Sequence, residues 1–255
     1  MANVIGLDIG GTKINGIVYD GKTIVRELTV VTPKNLKDFK YSINHLVEFL
    51  SYGKNIAALG VGMAGIVNPK GTVVYNPNMK FLIGHNVGKF FKSLNLKKVA
   101  IDNDANCFAL AESHKGKGKP FKNFIALTLG TGIGGGLILK KKLYRGETGS
   151  AGEAGRIMSD LKYDSEHYFK LARNKNDFKK VGEVVGILFA NIMNILDVEA
   201  IVLGGTIATK FYKKFVPVAL GVAKKHVANK YAKPKVLIST LKNSGAIGAA
   251  LLVSE

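Results

Sequence analysis

The sequence offers a single cysteine, Cys107, so neither an intrachain disulfide nor a zinc site built from several thiolates is available, and a reducing compartment is expected. No stretch approaches the ~18 uninterrupted apolar residues of a membrane-spanning helix, and the opening MANVIGLDIGG has no basic segment ahead of its apolar run. A cytoplasmic protein with no membrane partner is the expectation. Acidic residues are also scarce: 18 Asp and Glu stand against 37 Lys and Arg, for a formal net charge of +19. Arginine occurs only at 26, 145, 156 and 173, so the excess is lysine, which supplies point charges without the fork geometry of a guanidinium. Such a diffuse excess lacks the aromatic and arginine interleaving of a dedicated nucleic-acid reader, and no such partner is expected. His45, His85, His114, His167 and His226 fall in no metal-ligand spacing and are expected at the surface or in turns.

What is present is an alternation of strand-like and helix-like periods, which argues for an α/β architecture. Residues 4–7, 16–19 and 23–31 read as three strands separated by glycine-containing turns. Leu36, Phe39, Ile43, Leu46, Val47 and Leu50 then share one helical face, and strands follow at 56–61 and 98–101. A helix is expected from Ala105 to Ser113. The stretch KGKGKP at 115–120 reads as a linker, with a boundary after residue 117. Beyond it come strands at 124–129 and 136–139, a helix whose Val181, Val184, Leu188, Ile192, Ile195 and Leu196 share a face, and a strand at 200–203.

Residues 4–19 (VIGLDIGGTKINGIVY) and 124–139 (FIALTLGTGIGGGLIL) share one plan of apolar strand, Gly/Thr turn and apolar strand, which points to an internal duplication. Glycine lets a turn backbone approach a ligand closely with its N–H groups outward, a chemistry suited to phosphate; either turn alone could equally be an ordinary hairpin. Gly60-x-Gly62-x-x-Gly65 and Gly130-x-Gly132-x-x-Gly135 both have the dinucleotide-binding spacing. That fingerprint requires a helix to begin at its end, and neither segment can begin one, so the Rossmann reading is rejected.

No Asp or Glu occurs between Glu48 and Asp102, where the gap ends in Asp102-Asn103-Asp104-Ala105-Asn106. A carboxylate at a strand end beside a helix start sits where open α/β sheets build sites. Helix capping by Asn103 or Asp104 is the alternative; it accounts for one of these residues but not for the cluster.

Asp8-Ile-Gly10-Gly11-Thr12-Lys13, Gly62-Met-Ala-Gly65, Asn103-Asp104-Ala-Asn106, the run Gly130–Gly136, Gly149-Ser-Ala-Gly152-Glu153-Ala-Gly155 and Leu203-Gly204-Gly205 together resemble the ROK family of sugar kinases and repressors. The resemblance implies the two-lobed actin-like ATPase/hexokinase fold, built from ribonuclease H-like lobes around an ATP cleft. It divides the chain into 1–117 and 118–244, with a helix within 245–255 returning to the first lobe. Asp104 matches the family's general base. Gly65, Asn103, Asp104, Glu153 and Arg156 would bind the sugar. Asp8, Gly10, Gly11, Thr12, Lys13, Gly130, Thr131, Gly132 and Gly134 would handle the ATP phosphates, with Asp8 reaching Mg²⁺ through water. Gly204 and Gly205 would lie near adenosine.

The implied activity is transfer of the γ-phosphoryl group of ATP to a hydroxyl of a hexose or N-acetylhexosamine, by a homodimer. The sequence departs from the family where a histidine and a zinc-binding cysteine cluster usually follow the Gly-Glu-x-Gly segment: Arg156 stands at the histidine position and the cysteines are missing. No structural zinc is expected, Glu166 could stand in for a further sugar-contacting glutamate, and Arg156 either meets the acceptor or pairs with an acid such as Asp160. Repressors of the family carry a helix-turn-helix extension, whereas this chain enters the first phosphate motif at Asp8. The alternative is a catalytically weak sugar- or nucleotide-binding regulator on the same fold that binds polyanions.

Overall fold

A computed structural model describes residues 3–68, 70–94 and 96–255. It opens with β1 (Asn3–Ile9), β2 (Lys13–Tyr19) and β3 (Ile24–Val31), an antiparallel meander, followed by α1 (Leu36–Ser51) and β4 (Ile56–Met63). Asn35 caps α1 by accepting from the Asp38 N–H at 2.9 Å, and Phe39, Ile43, Leu46, Val47 and Leu50 bury the face that the 3.6-residue period marks. The short β5 (Ile66–Val67), β6 (Val73–Tyr75) and α2 (Val87–Lys92) precede β7 (Lys98–Asn103) and α3 (Asp104–His114). β1, β4 and β7 pair in parallel, giving the order β3-β2-β1-β4-β7.

The plan then repeats. β8 (Phe124–Leu129), β9 (Ile133–Leu139) and β10 (Lys142–Tyr144) form a second antiparallel meander, followed by α4 (Ser165–Asn174), α5 (Phe178–Leu196), β11 (Ala200–Gly204), α6 (Gly205–His226) and β12 (Lys235–Ile238). The order β10-β9-β8-β11-β12 matches the first sheet strand for strand, with β8, β11 and β12 parallel. The duplication seen in two hairpins therefore extends to two whole sheets. The last helix, α7 (Ser244–Leu251), closes the chain.

Contacts divide the chain into two compact units, one of Met1–Ala111, Arg145–Ser150 and Lys242–Glu255, the other of Glu112–Tyr144 and Ala151–Leu241. The division falls ahead of the KGKGKP stretch, and that stretch is an anchored turn. Glu112 is fully buried; its carboxylate accepts from the Lys117 N–H at 2.7 Å and from the Ser239 hydroxyl at 2.5 Å. A buried carboxylate must be hydrogen-bonded, and those bonds hold residues 112–117 in the second unit.

In the first unit the glycines of the rejected dinucleotide fingerprint have a packing role. A Cβ on Gly60 would lie 1.7 Å from the Ala249 carbonyl oxygen of α7, one on Gly6 2.0 Å from that of Ala246, and one on Gly62 2.8 Å from the Cys107 sulfur of α3. The bare backbone of β1 and β4 thus receives two helices at a distance no side chain allows. Gly60→Val should lower the urea midpoint by an amount equivalent to about 3 kcal/mol or more. Gly221→Ala, at a helical position where the added Cβ meets nothing within 4 Å, should raise stability by about 0.5–1 kcal/mol. Equal effects of the two substitutions would refute the packing account.

Candidate active site

In the first unit, Asp8 lies near the end of β1, in register with Asn15 on β2 and Gly62 on β4. The turn after it is closed by Gly10 N–H to Lys13 carbonyl at 3.0 Å. It is fastened by the Thr32 hydroxyl to the Gly10 carbonyl at 2.7 Å and by the Thr32 N–H to the Thr12 carbonyl at 3.0 Å. Thr12 and Lys13 are exposed at its tip.

Asp104 begins α3 directly beyond β7. Asn103 caps that helix: its Oδ1 accepts from the N–H groups of Ala105 (2.7 Å) and Asn106 (3.3 Å), and its Nδ2 donates to the Gly65 carbonyl at 2.9 Å. Asp102 is locked in place. Its Oδ2 accepts from Arg145 Nε at 2.6 Å, and its Oδ1 from Asn106 Nδ2 at 2.7 Å and from the Asn103 N–H at 2.8 Å. One oxygen of Asp104 accepts from the Ala105 N–H at 2.9 Å. Burial raises the Asp104 carboxyl above its ordinary range, against the lowering pull of that bond. Asp8 is pushed up from 3.8 to about 7, first by burial and then by the charge of Asp104, with Lys13 pulling the other way. Capping and chemistry are thus shared out within one motif: Asn103 caps, Asp102 braces, and Asp104 with Asp8 forms a pair of desolvated carboxylates.

In the second unit, the turn Gly130-Thr131-Gly132 between β8 and β9 is closed by Gly130 N–H to Gly132 carbonyl at 3.0 Å. α4 grips both of its flanks. Glu166 Oε2 accepts from the Ile133 N–H at 2.9 Å, and Arg173 Nη1 donates to the Gly130 carbonyl at 3.2 Å. Lys170 Nζ holds the other Glu166 oxygen at 2.5 Å. A Cβ on Gly132 would fall 2.2 Å from Glu166 Oε2, so this glycine is what lets the carboxylate reach the turn. Glu166, expected as a stand-in for a further sugar-contacting glutamate, bonds to this turn and to Lys170. Gly134 lies on β9 opposite Thr128, and Thr128 also faces Gly204 at the end of β11. Gly205 opens α6 with φ +85, where an added Cβ would lie 2.5 Å from the Leu129 carbonyl oxygen. Glu153 is half-buried ahead of the short turn Ala154–Arg156. Arg156 pairs with Asp164 at 2.9 Å. Asp160 is taken by the Tyr168 hydroxyl and by the N–H groups of Lys162 and Tyr163.

The first unit therefore gathers Asp8, Gly10–Lys13, Gly65, Asn103 and Asp104; the second carries Gly130–Gly134, Glu153, Arg156, Gly204 and Gly205. Sequence reasoning missed Arg145 and the pair Lys170 and Arg173, whose partners lie far along the chain or on a helix it did not place. Among the described residues no group of three or more His, Cys, Asp or Glu is placed to hold a metal ion, and no helix is long and apolar enough to cross a membrane. Cys107 is buried, and burial pushes its thiol up, as expected of a core residue.

A family model described as "ROK family" matches residues 4–167 and 159–255. Glucokinase of Streptomyces coelicolor is 40% identical over 159 residues, 62% of this chain and 50% of that protein. N-acetyl-D-glucosamine kinase of Haemophilus influenzae is 32% identical over 158 residues, 60% of this chain and 51% of that protein. The matched stretch thus spans about half the length of each relative. Among solved structures, a ROK family glucokinase from Streptomyces griseus in complex with glucose and AMPPNP superposes with a TM-score of 0.85 at 25% identity, covering 99% of both chains. These likenesses give the chain the actin-like ATPase/hexokinase fold that the motifs implied.

The state of Asp8 is open to measurement. In the unfolded chain it ionises near 3.8, whereas the folded protein keeps its proton up to about 7, so the wild type loses stability as pH rises through that window. Asp8→Asn cannot ionise. Without added divalent ions, its melting temperature relative to wild type should climb by more than ~2 °C between pH 4 and pH 8. A pH-independent difference would contradict the assignment.

Proposed function

The chain belongs to the ROK family, and we propose on that premise that it is an ATP-dependent sugar kinase, transferring the γ-phosphoryl group to a hydroxyl of a hexose or N-acetylhexosamine with Asp104 as general base. The observation that carries this reading is the Asp104 carboxylate itself: it is set at the junction of β7 and α3 with one oxygen fixed by the Ala105 N–H, and burial raises it above the ordinary carboxylate range. Desolvation strengthens a carboxylate as a proton acceptor, and an acceptor hydroxyl within hydrogen-bond reach would give up its proton to this group as the new P–O bond forms.

Phosphoryl transfer is otherwise mostly positioning and charge stabilisation. The turn at Gly10, Gly11, Thr12 and Lys13 and the turn at Gly130, Thr131 and Gly132, continued by Gly134, are assigned to the ATP phosphates; Gly204 and Gly205 are assigned to adenosine. The clamp of Glu166 and Arg173 keeps the second turn rigid, which spares ordering cost on binding. Asp8 suits a divalent cation: it is a desolvated carboxylate under the repulsion of Asp104, and a positive charge beside it relieves both terms. Asp8 would hold Mg²⁺ through water, and the ion supplies neutralisation of charge on the transferring phosphate.

Gly65, Asn103 and Glu153 are assigned to acceptor hydroxyls. Arg156 would join them from its pairing with Asp164, and it takes the place of a histidine without any need for zinc. A cytoplasmic homodimer completes the proposal.

Asp104→Asn should cut turnover ~100-fold or more while leaving nucleotide affinity nearly unchanged, because it removes the proton acceptor and keeps the size. Turnover above about a tenth of wild type in an ADP-release assay over a panel of sugars would sink the base assignment. Gly132→Val, which drives a side chain into Glu166, should abolish ATP·Mg²⁺ binding in a folded protein; an unchanged calorimetric affinity would remove this turn from the nucleotide site.

A further inference from the structure

The first unit contains a cavity of about 500 Å³ that neither turn accounts for. It is bounded by the β5–β6 loop, α2, the end of β7 and the segment at 145–149. Its wall is tied together by backbone and amide bonds. Asn68 Oδ1 accepts from the N–H groups of Lys70 and Thr72 at 3.0 Å each, Asn86 Nδ2 donates to the Lys70 carbonyl at 2.9 Å, and the Gly88 N–H donates to the Gly71 carbonyl at 3.1 Å. That lattice fixes where Lys70 leaves the backbone, and Lys89 and Lys92, three residues apart on α2, project from one face of the helix.

Charge in this cavity does not cancel. Arg145 and Asp102 neutralise each other at 2.6 Å, which leaves Lys70, Lys89 and Lys92 against Glu147 as the remaining charged lining. Among the described residues none of these three lysines is ion-paired. Gathering like charges around a concave wall is unfavourable unless an anion offsets it, and three ammonium groups suit a dianionic phosphate better than a single carboxylate. Asn103, whose amide is fixed on Gly65, also lines the cavity, so it adjoins the acceptor contacts proposed above. The volume exceeds what a single hexose needs.

We propose that the acceptor of this enzyme is a saccharide that already carries a phosphate group, held by Lys70, Lys89 and Lys92, with its hydroxyls toward Asn103. This rests on the kinase reading for the role of Asn103 and deepens it by naming the substrate class. The reaction leaves the resident phosphate untouched: the acceptor hydroxyl loses its proton to Asp104, a new P–O bond forms to the γ-phosphorus, and the bond to the ADP oxygen breaks.

Calorimetry on the full chain without nucleotide tests the cavity apart from the chemistry. Glucose, glucose 6-phosphate, glucuronate and inorganic phosphate serve as probes, against wild type and the variants Lys89→Glu/Lys92→Glu and Lys89→Gln/Lys92→Gln. Glucose 6-phosphate should bind wild type at least ~tenfold more tightly than glucose, the size of one or two charge-assisted hydrogen bonds. That preference should shrink in the glutamine variant and vanish in the glutamate one, with both variants keeping the wild-type melting profile and ATP affinity. Equal affinity for the two sugars, or a preference that survives charge reversal, overturns the proposal. So does inorganic phosphate binding as tightly as the sugar phosphate, or glucuronate doing so, which would make the site one for any anion. ADP released with neutral hexoses but no binding preference leaves the kinase reading standing and removes this one. A binding preference in a chain that releases no ADP with any sugar leaves the cavity assigned and removes the kinase.

Discussion

The structure of the first unit depends on a strip of sheet that carries no side chains. Gly6 on β1 and Gly60 on β4 let the α7 backbone come within contact of the strands, and on the far side of α7 a Cβ on Gly248 would lie 1.7 Å from the Cys107 carbonyl oxygen of α3. Strand, helix and helix are stacked at backbone separation, which fixes all three with little tolerance. Two consequences reach the chemistry. α3 is held so that its first residue, Asp104, stands at the sheet end. α7 is held so that its Gly245 lies over Asp8, where a Cβ would be 2.3 Å from the carboxylate. The desolvation that gives Asp8 its unusual affinity for a proton follows from the same packing that closes the fold.

Much of this was open to reading from the chain because apolar period and glycine placement are local signals. α1 and α5 show themselves through large aliphatic residues on one face, and the two hairpins through their repeated plan. α6 hides because its buried face is largely alanine, at 208, 219 and 223, and because Pro217 lies inside it. α4 hides because few of its residues are apolar, with Phe169 and Ala172 as its buried hydrophobics. The cluster from Asp102 to Asn106 was readable as important but not as divided labour. Which oxygen caps and which braces depends on Arg145 and Gly65, both remote in sequence. The same limit applies to Arg156, whose pairing with Asp164 depends on where the chain places α4, while Asp160 accepts from two backbone N–H groups and a tyrosine hydroxyl.

The second unit braces its glycine turn with side chains of one short helix. Glu166 and Arg173 of α4 meet the turn at Gly130–Ile133, and Lys170 holds Glu166 in place. Hydrogen bonds and one ion pair between near neighbours do the bracing, with the lysine-rich chemistry that marks the whole sequence. Because Lys170 and Arg173 are partly exposed, dissolved salt screens their share of the bracing.

The first unit is also built from three stretches of chain: Met1–Ala111, Arg145–Ser150 and Lys242–Glu255. Synthesis delivers them in that order, so Asp102 stays unbraced until Arg145 is made, and the bare strip of β1 and β4 stays exposed until α7 follows. The later unit, whose strands and helices lie within 112–241 apart from a six-residue excursion, can complete its own sheet first. Of the two units, the one begun first is finished last, and its glycine seam closes only after the other unit's sheet can form.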